Sequence, residues 1–418
     1  MHLREPSVKE QGAAFTLIPF LRRKYGFALL GVTILYAASA YVSPGFSVTA
    51  SRLTLVWLPA GIGVAVILLL GPRATPALIA GSLAATMMTG IPFWASLTTA
   101  LAGSLEALAA VYLLRNATEF KGDLGRVSDV LVFLLFGVGI ASMIGATVGT
   151  IGNCTSGVLP WADAWRLWRI WWLGDAIGIL IVGALLLAWS VRFEPGWSIA
   201  RSAEVAVLFP VLAALVAVVH GGMFEPDLVA PLSFLAFPFV MWAALRFGLK
   251  GATAAVVVAV AFALWGVLHG EGPFAEPRFA VGMVFFYGYA ASLAVTGLLL
   301  AAATTERRRS AEELARIGQD LDIRVRERTA DLQEELVRRR RAQEELQSAL
   351  HNVKTLSGLL PICASCKKIR DDGGYWTQVE RYLTEHTQAQ FSHGLCPECF
   401  ASLYPEFSDR SGSAGLTP

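Results

Sequence analysis

Apolar stretches of about 20 residues recur through most of this 418-residue chain, and that is the length a helix needs to cross a bilayer core. No water reaches that core, so backbone N–H and C=O groups must bond within the spanning segment, which a helix achieves alone. Ten such stretches lie near 25–43, 53–71, 74–90, 93–114, 127–151, 170–190, 203–220, 229–246, 251–268 and 279–303. Pro231 and Pro238 interrupt the eighth. The apolar stretch after Arg22, Arg23 and Lys24 is as long as a span and lacks a small-residue cleavage site, so it is not read as a signal peptide. Charged residues make up only 16% of the chain, against about 25% in soluble domains. The expected fold is therefore an all-α polytopic membrane bundle of about ten transmembrane helices.

Lysine and arginine are retained on the cytoplasmic side, and this sets the orientation. With the N-terminus inside, the inner connections hold thirteen of these residues, including Arg73, Arg115, Lys121, Arg126 and Arg192. The outer connections hold only Arg52, Arg166, Arg169 and Arg278. The expectation is a multi-pass membrane protein with both termini in the cytoplasm. A net charge of +2 gives no reason to expect a nucleic-acid partner.

After the last span the composition changes. Eleven arginines and eleven acidic residues lie between Thr305 and Leu346. Acid-to-arginine pairs four residues apart recur at Glu312/Arg316, Asp320/Arg324, Asp322/Arg326, Glu334/Arg338 and Glu335/Arg339, a spacing that supports a helix. Leu314, Ile317, Leu321, Val325, Leu332, Leu336, Leu346 and Leu350 form a narrow seam with a stutter at Val325. Residues 304–356 thus read as a helical coiled coil that pairs two copies of the chain, with a single solvated helix as the plainer alternative.

Cys363-Ala-Ser-Cys366 and Cys396-Pro-Glu-Cys399 stand in the next stretch. Two C-x2-C pairs place two sulfurs on each of two turns, which together complete the tetrahedron of a structural zinc site. About 50 residues seldom hold a fold without such a staple. A dithiol redox switch and an iron–sulfur site use the same residues and stay open. Thr377 and Glu380 fit a capping box at the start of a short helix, with Val379, Tyr382 and Leu383 facing Trp376 in a small core. A second helix is expected from Cys396 through Leu403. The expected module is a small zinc-ribbon or treble-clef-like α+β unit. The full division is a cytoplasmic segment 1–24, a membrane domain 25–303, the linker 304–356, the cysteine module 357–410 and a disordered tail 411–418.

Glu106 and Asp175 fall inside apolar spans, where ionisable groups are costly and usually functional. Asp175 follows a tryptophan-rich run and has Arg166 and Arg169 as potential partners, so Glu106, Asp175 and Arg169 form a candidate sensing site. The bland reading of the tryptophans is an interfacial anchor belt. Cys154, alone in a Gly-rich stretch, reads as a small packed residue.

Three stretches carry a family resemblance: Trp57-Leu-Pro-Ala-Gly61, Trp172-Leu-Gly-Asp175 through Gly178, and Trp242 through Gly251 leading to Gly272-Pro-Phe274. Their order and placement resemble the MASE1-type integral membrane sensor domain of bacteria. The charged linker is similar to the helix that follows such sensors, and the terminal piece resembles a small cysteine-rich tail seen on bacterial signalling proteins. The resemblance implies a signal sensor of the bacterial inner (plasma) membrane. Neither a Gly-rich ATP-binding segment nor a cyclase signature follows the linker, and His351 lacks the context of a phospho-acceptor. The expected function is therefore non-catalytic: membrane helices receive a stimulus, a dimeric rod carries it, and the cysteine module delivers it to an unidentified cytoplasmic signalling protein. A multi-span transporter with a regulatory tail and a thiol redox sensor are the alternatives.

Overall fold

The computed structural model describes residues 25–46, 54–116, 120, 122–191, 198–224, 229–275, 279–354, 360–387 and 389–405. The segment 1–24, Arg52, Lys121, Arg192, Arg278 and the tail 411–418, all used in the orientation and domain readings above, lie outside the described residues. The chain forms two compact units, Met1–Ala315 and Arg316–Pro418.

The first unit contains α1 (Tyr25–Val42), α2 (Leu58–Leu70), α3 (Thr75–Met88), α4 (Phe93–Asn116), α5 (Val127–Thr155), α6 (Trp161–Ser190), α7 (Ile199–His220), α8 (Ala236–His269) and the start of α9 (Phe279–Lys354). Seven of the described helices are long and apolar enough to cross a membrane. Helices α2, with 13 residues, and α3, with 14, are shorter than the stretches expected at 53–71 and 74–90. The physical reason at α2 is visible. Pro59 sets the start of the helix, and the chain before it runs extended, with the Trp57 N–H donating to the Gly174 carbonyl of α6 at 3.1 Å.

Helix α8 covers the eighth and ninth expected stretches, and the eighth begins later than 229. Pro231 opens a 3-10 turn over Pro231–Leu235, and Pro238 falls in the first helical turn, where no intrahelical N–H bond is lost. A Cβ on Gly297 of α9 would meet Val240 at 2.8 Å and Val256 at 3.6 Å. In a straight helix those valines would stand about 24 Å apart. The helix therefore folds back on itself at Gly248, whose φ of 61° and ψ of −148° belong to a region essentially reserved for glycine.

Inside the unit, small residues such as Ala65, Ala107, Ala110, Ala243 and Ala259 are buried, while Phe27, Ile34, Tyr112 and Val284 stand exposed. Large apolar side chains outside and small ones between helices are the pattern expected of a lipid-facing bundle. Helix α1 packs on α3, α4 on α2 and α5, α5 on α6, and α7 on α8. Cys154 is buried, as its Gly-rich setting suggested. The beginning of the charged segment is tied to the α4–α5 connection. Arg309 pairs with Asp123 at 3.0 Å, and Glu306 Oε2 accepts a hydrogen bond from the Val127 N–H at 3.1 Å.

In the second unit α9 continues without interruption to Lys354. Ion pairs form at Asp320/Arg324, Glu334/Arg338 and Glu335/Arg339. Glu312 pairs backward with Arg308, in the first unit, rather than forward with Arg316. Along the seam Leu321, Val325, Leu332 and Leu336 are each more than half exposed.

The cysteine-rich segment folds into two short antiparallel strands, β1 (Ile369–Arg370) and β2 (Trp376–Thr377), followed by α10 (Val379–His386) and α11 (Pro397–Leu403). The Asp371–Gly374 turn is closed by Gly374 N–H to the Asp371 carbonyl and by Tyr375 N–H to Asp371 Oδ1. The expected capping box is not formed: Thr377 belongs to β2, and Gln378 occupies the N-cap without a side-chain bond. Trp376 is half exposed rather than central, and Ile369 is the one fully buried hydrophobic side chain among the described residues of this unit.

Candidate functional site

Helices α1, α3, α4, α5 and α6 surround a cavity of about 410 Å³. Its mouth is built from Pro44, Thr89, Ile91, Val158 and Leu159, which come from the α1–α2, α3–α4 and α5–α6 connections, and from Asp163 and Arg166 at the start of α6. These are alternate connections of the bundle, so they lie at one end of it. Deeper, Glu106 of α4 and Asp175 of α6 both line the space. Two carboxylates 69 positions apart in sequence thus share one cavity.

The local structure explains how they fit. A Cβ on Gly145 of α5 would lie 2.5 Å from Glu106 Oε2, so the absence of a side chain there makes room for the carboxyl group. The Tyr36 hydroxyl rests against Gly103, one turn before Glu106. Glu106 is 2% exposed and Asp175 is 7% exposed. Glu106 Oε1 has no hydrogen-bond partner, and neither acid forms an ion pair among the described residues.

Helix α6 carries two faces. Arg166, Leu167, Ile170, Trp171, Gly174 and Asp175 recur at helical spacing and face the cavity. Trp165, Trp168 and Trp172 form a stacked ladder on the other face, with ring centroids 5.2 and 5.5 Å apart. The Trp168 indole donates to Thr147 Oγ1 at 2.9 Å, and that of Trp172 to the Gly139 carbonyl at 3.3 Å. Arg169 lies over the Trp165 ring at 5.5 Å, so it belongs to this ladder and takes no part in the cavity. Arg166 is the basic residue that does line it. It is nine positions from Asp175, about 13 Å along the axis, so it stands at the rim and not beside the acid.

The motif stretches around Trp57 and Asp175 pack backbone to backbone. A Cβ on Gly178 would lie 2.1 Å from the Trp57 carbonyl oxygen, and one on Gly61 would lie 2.3 Å from that of Gly178. Such close approach needs glycine. It also brings Thr54 and Trp57 to the cavity wall. The MASE1 family profile matches residues 27–308, two-thirds of the chain and all the helices around this cavity.

The chain belongs to the MASE1 family.

No curated protein and no solved structure matches it. MASE1 is a membrane sensor domain family, and the chain is a multi-pass membrane protein in contact with the lipid bilayer. Within this MASE1 domain, the sequence singled out Glu106 and Asp175, offered Arg166 beside Arg169 as a potential partner of Asp175 but chose Arg169, and gave Tyr36 and Trp57 no place in the site. For Arg166 a signal existed: the 3.6-residue period along α6 separates it from the tryptophan face that carries Arg169.

The cysteines lie outside the MASE1 match. The Cys363 N–H donates to the Lys368 carbonyl at 2.8 Å, and the Lys367 N–H donates back to the Cys363 carbonyl at 3.0 Å. Lys367 adopts a left-handed φ of 59°, which closes this turn. Cys396 caps α11, its sulfur accepting from the Cys399 N–H at 3.4 Å. Backbone N–H groups of Cys366 and Ser365 hold the Cys363 thiol below its ordinary value, and the Cys399 N–H does the same for Cys396. Each pair is therefore arranged locally to favour thiolate. Among the described residues no three His, Cys, Asp or Glu side chains come together as a metal site, so the two pairs are not gathered into one cluster.

Proposed function

We propose that this MASE1 protein is a bacterial inner-membrane sensor whose cavity receives a stimulus at the outer face and whose helix α5 passes it to the cytoplasmic rod. The observation that carries this reading is the double engagement of α5. Gly145 and Asn153 of this helix line the cavity, while its first residue, Val127, is held by Glu306 at the base of the charged segment. Between them α5 contains a π-helical stretch, Phe133–Ile140, a form of helix often found where registers shift at functional sites. A ligand that binds one register better than the other shifts the population and moves the Asp123–Arg309 latch.

In this reading all ten helical segments cross the bilayer, α8 counting twice, and both termini are cytoplasmic. The cavity mouth then faces outward, because the α1–α2, α3–α4 and α5–α6 connections are outer ones. The exposed seam of the rod pairs with a second copy of the chain. The cysteine unit is non-catalytic and holds a cytoplasmic signalling partner. Structural zinc on Cys363, Cys366, Cys396 and Cys399 is supported by the thiolate-favouring turns and by a core that offers one buried residue, Ile369. Bound zinc supplies the crosslink that a hydrophobic core of this size does not.

The test is disulfide crosslinking of the full chain in membranes. Leu332→Cys and Leu336→Cys are expected to form crosslinked dimers at a rate that changes at least twofold when Asp123→Ala and Glu306→Ala remove the acceptors of the latch. Unchanged rates after the latch is opened would remove the proposed transmission route.

A further inference from the structure

Below its rim the cavity has two buried acids, with no base beside them among the described residues. Arg166 at the rim is its basic lining residue, exposed and close to Asp163, while Glu106 and Asp175 lie buried below. A buried carboxylate oxygen without a partner, as Glu106 Oε1 is, demands a counterpart that the described residues do not supply. The volume, about 410 Å³, lies in the range of small-molecule pockets and far exceeds that of a bare ion. No three metal-ligating side chains converge there among the described residues. Three aromatic side chains, Tyr36, Trp57 and Trp171, share the wall with the acids, and aromatic faces attract cations. Trp171 is positioned by Gly149, where a Cβ would lie 2.0 Å from its ring.

We propose that the cavity binds an organic ammonium cation. Its nitrogen sits between Glu106 and Asp175 and its apolar body lies against Tyr36, Trp57 and Trp171. The carboxylates supply the countercharge, and the acids repel an anion of the same shape. This inference rests on the cavity being the receptive site and specifies the chemistry of its ligand.

The experiment is calorimetric titration of the full chain in lipid nanodiscs with 2-phenylethylammonium, 2-phenylethanol and phenylacetate, which share a shape and differ in charge. The expected result is saturable binding of the ammonium at least tenfold tighter than that of the alcohol or the anion. Glu106→Gln and Asp175→Asn, checked for monodisperse elution and helical content, should each weaken ammonium binding at least tenfold and leave the alcohol unaffected. Equal binding of the three compounds, preference for phenylacetate, or displacement of the ammonium by millimolar sodium or magnesium would overturn the proposal. If the variants do not fold, the charge series on the unmodified chain decides alone. Ammonium binding without any change in rod crosslinking would support this proposal and count against the sensing route. A crosslinking response to phenylacetate alone would do the opposite.

Discussion

Gly178 and Gly61 decide how closely the strand-like entry to α2 lies on α6, because any side chain at either would collide with backbone. Gly178→Ala is therefore expected to destabilise the bundle by about 1–3 kcal/mol, the usual cost of overpacking, and to lower its thermal unfolding midpoint in detergent. A silent Gly178→Ala would mean that the close approach is not tight in membranes. Gly248 is different. A Cβ there has open space, with Thr305 Oγ1 the nearest atom at 3.8 Å, so only the backbone conformation is at stake. Gly248→Ala should cost about 1–3 kcal/mol through strain alone, and Gly248→Asn no less, because a ψ of −148° lies outside the left-handed helical region that Asn tolerates. Comparing the two midpoints separates strain from packing. At this scale the acids of the cavity were legible because ionisable residues are rare in spans. Tyr36 and Trp57 were not, since an aromatic residue in an apolar run has no feature that says which space it faces.

Helix α9 joins two environments with one unbroken run of backbone bonds, buried among other helices at its start and solvated beyond. Its exposed ion pairs contribute little, about 0.3–0.5 kcal/mol each, and screening by salt should change its helicity only slightly. Burial of the apolar seam contributes more to the proposed dimer than these pairs do. Leu336→Glu is expected to cut crosslinking through Leu332→Cys at least tenfold, read on a non-reducing gel of membranes. An undiminished crosslink would place the dimer contact elsewhere. The helical nature of this segment was plain from its charge spacing, and three of five expected pairs formed. Glu312 chose Arg308 because a helix offers an acid neighbours on both sides, four residues before and four after.

For the molecule as a whole, orientation and metal content can each be read directly. Alkaline phosphatase, which folds only outside the cytoplasm, should be active when fused after Gly157 and inactive when fused at the C-terminus, with a fluorescent protein giving the reverse pattern. Activity at the C-terminus would invert the cavity and remove an outward ligand. The purified chain is expected to carry one zinc, lost in Cys363→Ser and in Cys396→Ser. Loading should rise with pH as thiols deprotonate, and should already be substantial below the ordinary thiol range of about 8.5, since both leading thiols are shifted down. A metal-free chain that resists proteolysis across residues 360–405 would exclude the zinc staple.

Period and composition set the helical character and approximate place of the apolar stretches, the helical linker, and the turn-forming cysteine pairs, because each depends on neighbours a few residues away in the chain. The union of Glu106 with Asp175, the fold-back of α8 and the separation of Arg166 from Arg169 depend on contacts between residues far apart in sequence. In an apolar bundle one greasy face reads like another, so only the packed helices, through the glycines that let them touch, chose which faces meet.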